Sequence, residues 1–243
     1  MKKMLLMLLF LLVPVSAHAD IKTTIGPEVS YVSYQEKGIP FGRDIINVEI
    51  NGVMYGIRGM VEYTDRIYLA LDGTYATGSV DYSGSGTIND ITDYRIETRG
   101  LIGVPVQKAV IFSGYGFRYL NDDASGRVTS TGLFGYERES TYQYVPIGIK
   151  FKGFTGELDI LTLGKQESHL EVLDQFAPQV VNKQNSGTAL KLSYTLSRDI
   201  KGFTIQATPF LRWWKVQASK PDDGFVEPKN TSLEVGGQIA IKF

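Results

Sequence analysis

The chain contains no cysteine. A protein exported without cysteine has no disulfides, so its stability must come from a sizeable core or a closed sheet. Histidine is scarce: His18 and His169 are the only two. As a single residue in a polar stretch, beside Glu167 and Asp174, His169 reads as a solvated side chain rather than a general base or ligand. Charge of one sign is also missing. With 25 Lys and Arg against 26 Asp and Glu, and no basic stripe, the composition argues against nucleic acid as a partner. Beyond Val15 no apolar run has the length of a membrane helix, and no low-complexity linker divides the chain. Neither G-x-S-x-G nor H-E-x-x-H occurs. Asn121-Asp122-Asp123 and Asp222-Asp223 lack the spacing of an EF-hand, and leave only a weak calcium site open.

What is present begins with a leader. Met1-Lys2-Lys3, an apolar run from Met4 to Val15 and Ala17-His18-Ala19 form a secretory signal peptide, residues 1–19. The run is too short to cross a bilayer, and no cysteine follows it to take a lipid anchor. Cleavage after Ala19 leaves one domain, 20–243, starting at Asp20. Losing Lys2 and Lys3 from 25 basic residues leaves 23 against 26 acids, a mildly acidic mature chain of net −3.

The rest alternates with a period of two, the pattern of strands with one apolar and one polar face. The last strand, Thr231 to Phe243, places Leu233, Val235, Gly237, Ile239, Ile241 and Phe243 on one side. Earlier strands repeat the pattern, as in Val53, Tyr55, Ile57, Val61 and Tyr63, and in Leu69, Leu71, Gly73 and Tyr75. Ten strands are counted, or eight if the weak first strand or the seventh and eighth are misread. The first, Ile25 to Gln35, has no assignable facing. Connections alternate in length. Those at Thr64–Arg66, Pro105–Gln107, Lys152–Gly153 and Ser197–Gly202 are short. Those around Gly38–Gly42, Ser83–Gly86, Asn121–Glu139, Lys165–Ser186 and Ser219–Asn230 are long. Aromatics end the apolar faces, with Tyr63, Phe151, Phe203 and Phe243 at the short-turn end and Tyr75, Tyr94, Tyr119 and Trp213 near the other. Charges fall on the opposite face alone: Arg58, Glu62, Asp72, Arg95, Glu97, Arg99, Arg118, Lys150, Glu157, Asp159, Lys191, Arg212, Glu234 and Lys242. Pro146 and Pro209 interrupt strands and call for bulges.

Short turns on one side, long loops on the other and two aromatic belts are the pattern of a transmembrane barrel. The strand ending on Phe243 resembles the closing strand of bacterial outer-membrane β-barrels, where a terminal Phe is the assembly signal. The strings Asp81-Tyr82-Ser83-Gly84-Ser85-Gly86, Phe117-Arg118-Tyr119-Leu120-Asn121-Asp122-Asp123 and Gly135-Tyr136-Glu137-Arg138-Glu139-Ser140 resemble segments of outer-membrane β-barrel proteins of Gram-negative bacteria. In size and strand count the chain also resembles the omptin surface proteases. That likeness implies catalytic Asp pairs and an Asp–His pair at the rim, in a Trp-Thr-Asp…His setting, and no such string occurs here.

The expected architecture is therefore all-β: a closed antiparallel transmembrane β-barrel with short periplasmic turns and long extracellular loops. A lipocalin-like calyx with apolar residues inside is the soluble alternative. Inside the barrel, Arg58, Glu62, Asp72, Arg95, Glu97, Arg99, Arg118, Glu157, Asp159, Lys191, Arg212 and Glu234 are expected to form a structural charge network, because charges away from water must pair. The expected role is structural or recognition: adhesion, or binding of lipopolysaccharide or a small ligand. An omptin-type protease and a narrow pore are the alternatives. The chain is expected not to be an enzyme and to need no cofactor or metal. It is expected to be monomeric, with outer-membrane lipid, lipopolysaccharide and the barrel assembly machinery as partners.

Overall fold

The computed structural model describes residues 21–38, 46–170, 179–220 and 226–243. Residues 1–19, expected to be a signal peptide, and Asp20, Pro40, Gly42, Asp174, Asp222 and Asp223 lie outside the described residues. The strands are β1 (Ile21–Gly38), β2 (Ile46–Thr64), β3 (Tyr68–Ser83), β4 (Thr87–Val106), β5 (Ala109–Asp123) and β6 (Glu137–Phe151). They continue with β7 (Phe154–His169), β8 (Val180–Lys183), β9 (Gly187–Tyr194), β10 (Leu196–Ile200), β11 (Phe203–Val216) and β12 (Lys229–Lys242). Each pairs antiparallel with its neighbours, and β12 pairs with β1, so the sheet closes. β8 and β9 both lie on β7, while β9 and β10 both lie on β11. These three segments share one wall position, and the wall is a ten-stranded barrel.

Facing settles the environment. Leu71, Tyr55 and Ile239 point outward and are 70%, 65% and 58% exposed, while their neighbours Asp72, Met54 and Ala240 are buried. A soluble calyx would show the reverse. A continuous outer apolar band over a charged interior is what lipid outside and a polar lumen inside require. The first strand now has a facing: Ile25, Val29 and Tyr31 are outward, Thr24, Glu28 and Ser30 inward. Outward rings crowd at the loop side, where Tyr94 lies 6.5 Å from Tyr75 and 5.7 Å from Tyr119.

Several boundaries differ from the sequence reading. β3 and β4 run on to Ser83 and Thr87, so Ser83–Gly86 is a tight hairpin and not a long loop. β7 continues to His169 and β8 pairs with it, so most of the described part of Lys165–Ser186 is strand. Pro209 causes no bulge. The ladder from β11 passes from Phe210↔Ser193 to Leu196↔Ala207 without a shift of register, and the break between β9 and β10 falls opposite the proline. At Pro146 the ladder to β5 skips from Ser113↔Ile147 to Gly116↔Tyr144. A bulge does occur nearby. On the β7 side Gln143↔Leu163 is followed by Tyr144↔Leu161, leaving Thr162 as the extra residue.

Inside, large rings sit across from glycines. Phe112 faces Gly148, Tyr144 faces Gly116, Tyr142 faces Gly164 and Phe210 faces Gly236. A Cβ on any of these glycines would press into the facing ring. The pairing lets rings lie across the neighbouring strand and fill the lumen beside the long charged side chains.

Candidate functional site

From the turn side upward, the lumen is built in tiers. Glu62 accepts hydrogen bonds from Lys150 at 2.6 Å and Lys242 at 3.4 Å, and Lys150 also lies 5.0 Å over the Tyr68 ring. Above it, Asp72 holds Arg58 through bonds of 2.7 and 3.0 Å and also pairs with Arg99, whose other contact is Glu157 at 2.5 Å. Next, Lys191 lies 2.5 Å from Glu97, 2.9 Å from Asp159 and 3.3 Å from Glu157, against the Tyr144 and Trp214 rings. Higher still, Arg212 meets Glu28 at 3.0 Å and Glu234 at 3.2 Å, and Arg95 meets the same two acids.

Eleven of the twelve expected network residues thus meet an opposite charge. Arg118 does not. Among the described residues no carboxylate is within ion-pair distance of it; its guanidinium stacks 4.7 Å over Trp214 instead, an attraction that desolvation strengthens. The uppermost pairs, of Arg95 and Arg212 with Glu28 and Glu234, are nearly dry, so removing one partner there would strand a buried charge at a cost of about 3–5 kcal/mol.

Glu28 was missed because the first strand alternates too weakly to show its facing. A second missed cluster lies toward the loop side of the lumen. Arg138 pairs with Glu36, with Asp122 at 3.3 Å and with Glu227 at 4.0 Å, and lies 5.3 Å over Tyr34. Three acids around one guanidinium leave negative charge in excess. Burial, with the charge of Glu36, pushes Glu227 up to about 8 against the pull of Arg138.

Open space lies at the other end. A cavity of ≈ 480 Å³ occupies the turn-side third of the lumen, lined by Arg58, Glu62, Tyr68, Arg99, Lys150 and Lys242 among others. The Asp72–Arg99–Glu157 tier roofs it, and beyond that tier the space shrinks to ≈ 50 Å³.

On the outer wall above Tyr119, His169 is not the solvated loop residue its isolation in sequence suggested. It ends β7, and its Nε2 lies 3.1 Å from Glu139 Oε2. Tyr119 donates to Glu139 Oε1, and Lys165 donates to Glu167 at 2.5 Å.

No protein-family model matches the chain, and no curated protein matches it. Solved structures do. The outer membrane protease OmpT from Escherichia coli is similar over 94% of this chain and 98% of that one, at 10% identity and TM-score 0.60. The translocator domain of the autotransporter NalP from Neisseria meningitidis matches over 95% and 90%, at 10% identity and TM-score 0.43, too distant to argue from. Outer membrane phospholipase A from Escherichia coli also matches, over 87% and 89% at 11% identity, with TM-score 0.29. The protease corrects the expectation that the chain is not an enzyme: it is an enzyme, and it shares this fold over nearly its whole length. The missing omptin string therefore does not argue against catalysis on this scaffold. At this level of identity the likeness is one of fold, and that fold is the outer-membrane β-barrel, omptin-like in its ten strands.

Proposed function

We propose that this outer-membrane barrel binds a small anionic ligand from the periplasm in its turn-side vestibule. The observation that carries the reading is the vestibule itself. Its volume of ≈ 480 Å³ is that of a small-ligand site. Its lining includes six cations, Arg58, Arg99, Lys108, Lys150, Lys152 and Lys242, against two acids, Glu62 and Glu157. Glu62 alone serves both Lys150 and Lys242, so positive charge is left over for a guest. The ion-pair tiers above the cavity, and the Arg138 cluster at the far mouth, favour a one-ended chamber over a through-channel. Short turns mark the open end as periplasmic.

The test is calorimetric titration of the folded protein in detergent with pyrophosphate as the anionic probe. One site is expected, weakened at least tenfold in a Lys150→Met, Lys242→Met double variant and by raised salt. Absence of binding, or equal binding by the double variant, would remove the proposal. Liposomes carrying the protein should not swell in small sugars; steady swelling would favour a narrow pore.

A further inference from the structure

The geometry points to a transition-metal site, of the zinc class, on the outer wall of the barrel at Glu139, Glu167 and His169. One ligand atom from each of the three lies within 4.8 Å of the other two. Their convergence follows from the sheet. Glu139 on β6 stands directly across from Glu167 on β7, and His169 is two residues further on the same face. Two carboxylates opposed across a ladder repel; the Lys165 ammonium on Glu167 offsets part of that repulsion, and a divalent cation between the two would offset the rest. Tyr119 and Lys165 each hold one oxygen of one carboxylate. Such outer partners are what orient the ligands of a metal site.

The donor set selects the class of ion. Calcium and magnesium take all-oxygen shells, whereas one imidazole nitrogen with two carboxylate oxygens suits zinc and its neighbours. Zinc bonds these donors at about 2.0–2.2 Å, so two ligands at a tetrahedral angle stand about 3.4 Å apart. From within 4.8 Å of one another, the three atoms would draw in by at most about 1.4 Å to reach that spacing. Glu139 Oε2 would exchange its contact with His169 Nε2 for a shared bond to the metal. Three protein ligands leave a fourth position for water or another oxygen donor. The site lies above Tyr119 on the face turned toward the outer leaflet, and the vestibule at the far end of the barrel has no part in it.

The experiment uses the mature chain without a histidine tag, folded in detergent and freed of metal with a chelator. Zinc is titrated in competition with a chromogenic chelator, and cobalt(II) is followed by its visible absorption. One zinc per chain is expected, with micromolar or tighter affinity and a cobalt band. His169→Ala and Glu139→Gln should each weaken zinc at least thirtyfold and abolish the band, while keeping the heat-modifiable gel mobility of a folded barrel. Calcium at equal concentration should not compete. Sub-stoichiometric zinc, or zinc binding unchanged in both folded variants, would reduce the cluster to a hydrogen-bonded suture between β6 and β7 and overturn the proposal. Equal competition by calcium would overturn the zinc-class assignment.

Discussion

Ile239→Arg is the sharpest test of the facing and of the depth at which this barrel sits in lipid. Phe243 marks the turn-side belt, and Leu233, paired across to Trp213, marks the loop-side belt. Ten residues separate them. At a rise of about 3.4 Å and a tilt of roughly 40°, they span about 26 Å along the membrane normal, close to the ~25 Å apolar band of such barrels. Ile239 falls next to the midpoint, about 10 Å above Phe243 by the same geometry. It is 58% exposed, so an arginine there meets mostly lipid, and loss of packing adds little. Arginine at the midplane costs about 2–4 kcal/mol, falling to about 0–1 near an interface. The folded-to-unfolded equilibrium constant should therefore drop by a factor of roughly 30 to 1,000, at about 1.4 kcal/mol per tenfold. Ile241→Arg, one pleat nearer the belt, should cost less. The measurement is reversible denaturant titration into phospholipid vesicles, comparing both variants with the parent. If Ile239→Arg were no less stable than the parent, or Ile241→Arg cost more, the assigned facing or depth would be wrong.

Two further outcomes are expected. Deleting Phe243 should impair assembly, because its backbone exchanges hydrogen bonds with Thr23 where the last strand meets the first; normal heat-modifiable mobility of the truncated chain would refute this. Amide exchange at Ser219 and Glu227, which bond each other across the loop base, should quicken as pH rises from about 4.5 toward 8. Glu227 has its folded pKa raised to about 8, so its stabilising contribution is whole below the unfolded value and lost as pH climbs through the folded one. Beyond the intrinsic pH dependence of exchange, Glu227→Gln should flatten the change; an unaltered profile would separate the loop from that carboxyl.

Most of the wall was legible in sequence because lipid and lumen demand opposite chemistries on alternate residues. What stayed hidden depends on contacts across the barrel or on local departures from the alternation. Ile25 to Gln35 is half apolar on both faces, since its inward side carries Val32 and Tyr34 against a lumen core as well as Glu28 and Ser30. Glu28 could therefore not be matched with Arg212, 184 residues away. The Glu139–His169 cluster was concealed by Thr162. That one extra residue turns both Thr162 and Leu163 outward, so the alternation appears to stop, and the rest of β7 reads as loop. Arg118 was assigned an acid because charge balance ignores the faces of rings; it stacks on Trp214, with its buried Nε left without a hydrogen bond.

The ring-and-glycine pairs of β5 and β6 bear on how this hairpin avoids misassembly. A slip of one residue inverts every side chain and is penalised by lipid. A slip of two preserves the facing, so the membrane cannot detect it. Only the native alignment gives both Phe112 and Tyr144 a glycine opposite, Gly148 and Gly116. Shifted by two in one direction, Phe112 would meet Pro146; in the other, it would meet Lys150 and Tyr144 would meet Arg118. The two rings act as keys cut for a single lock position. The error that lipid cannot proofread is rejected by the hairpin itself, before the tenth strand has found the first.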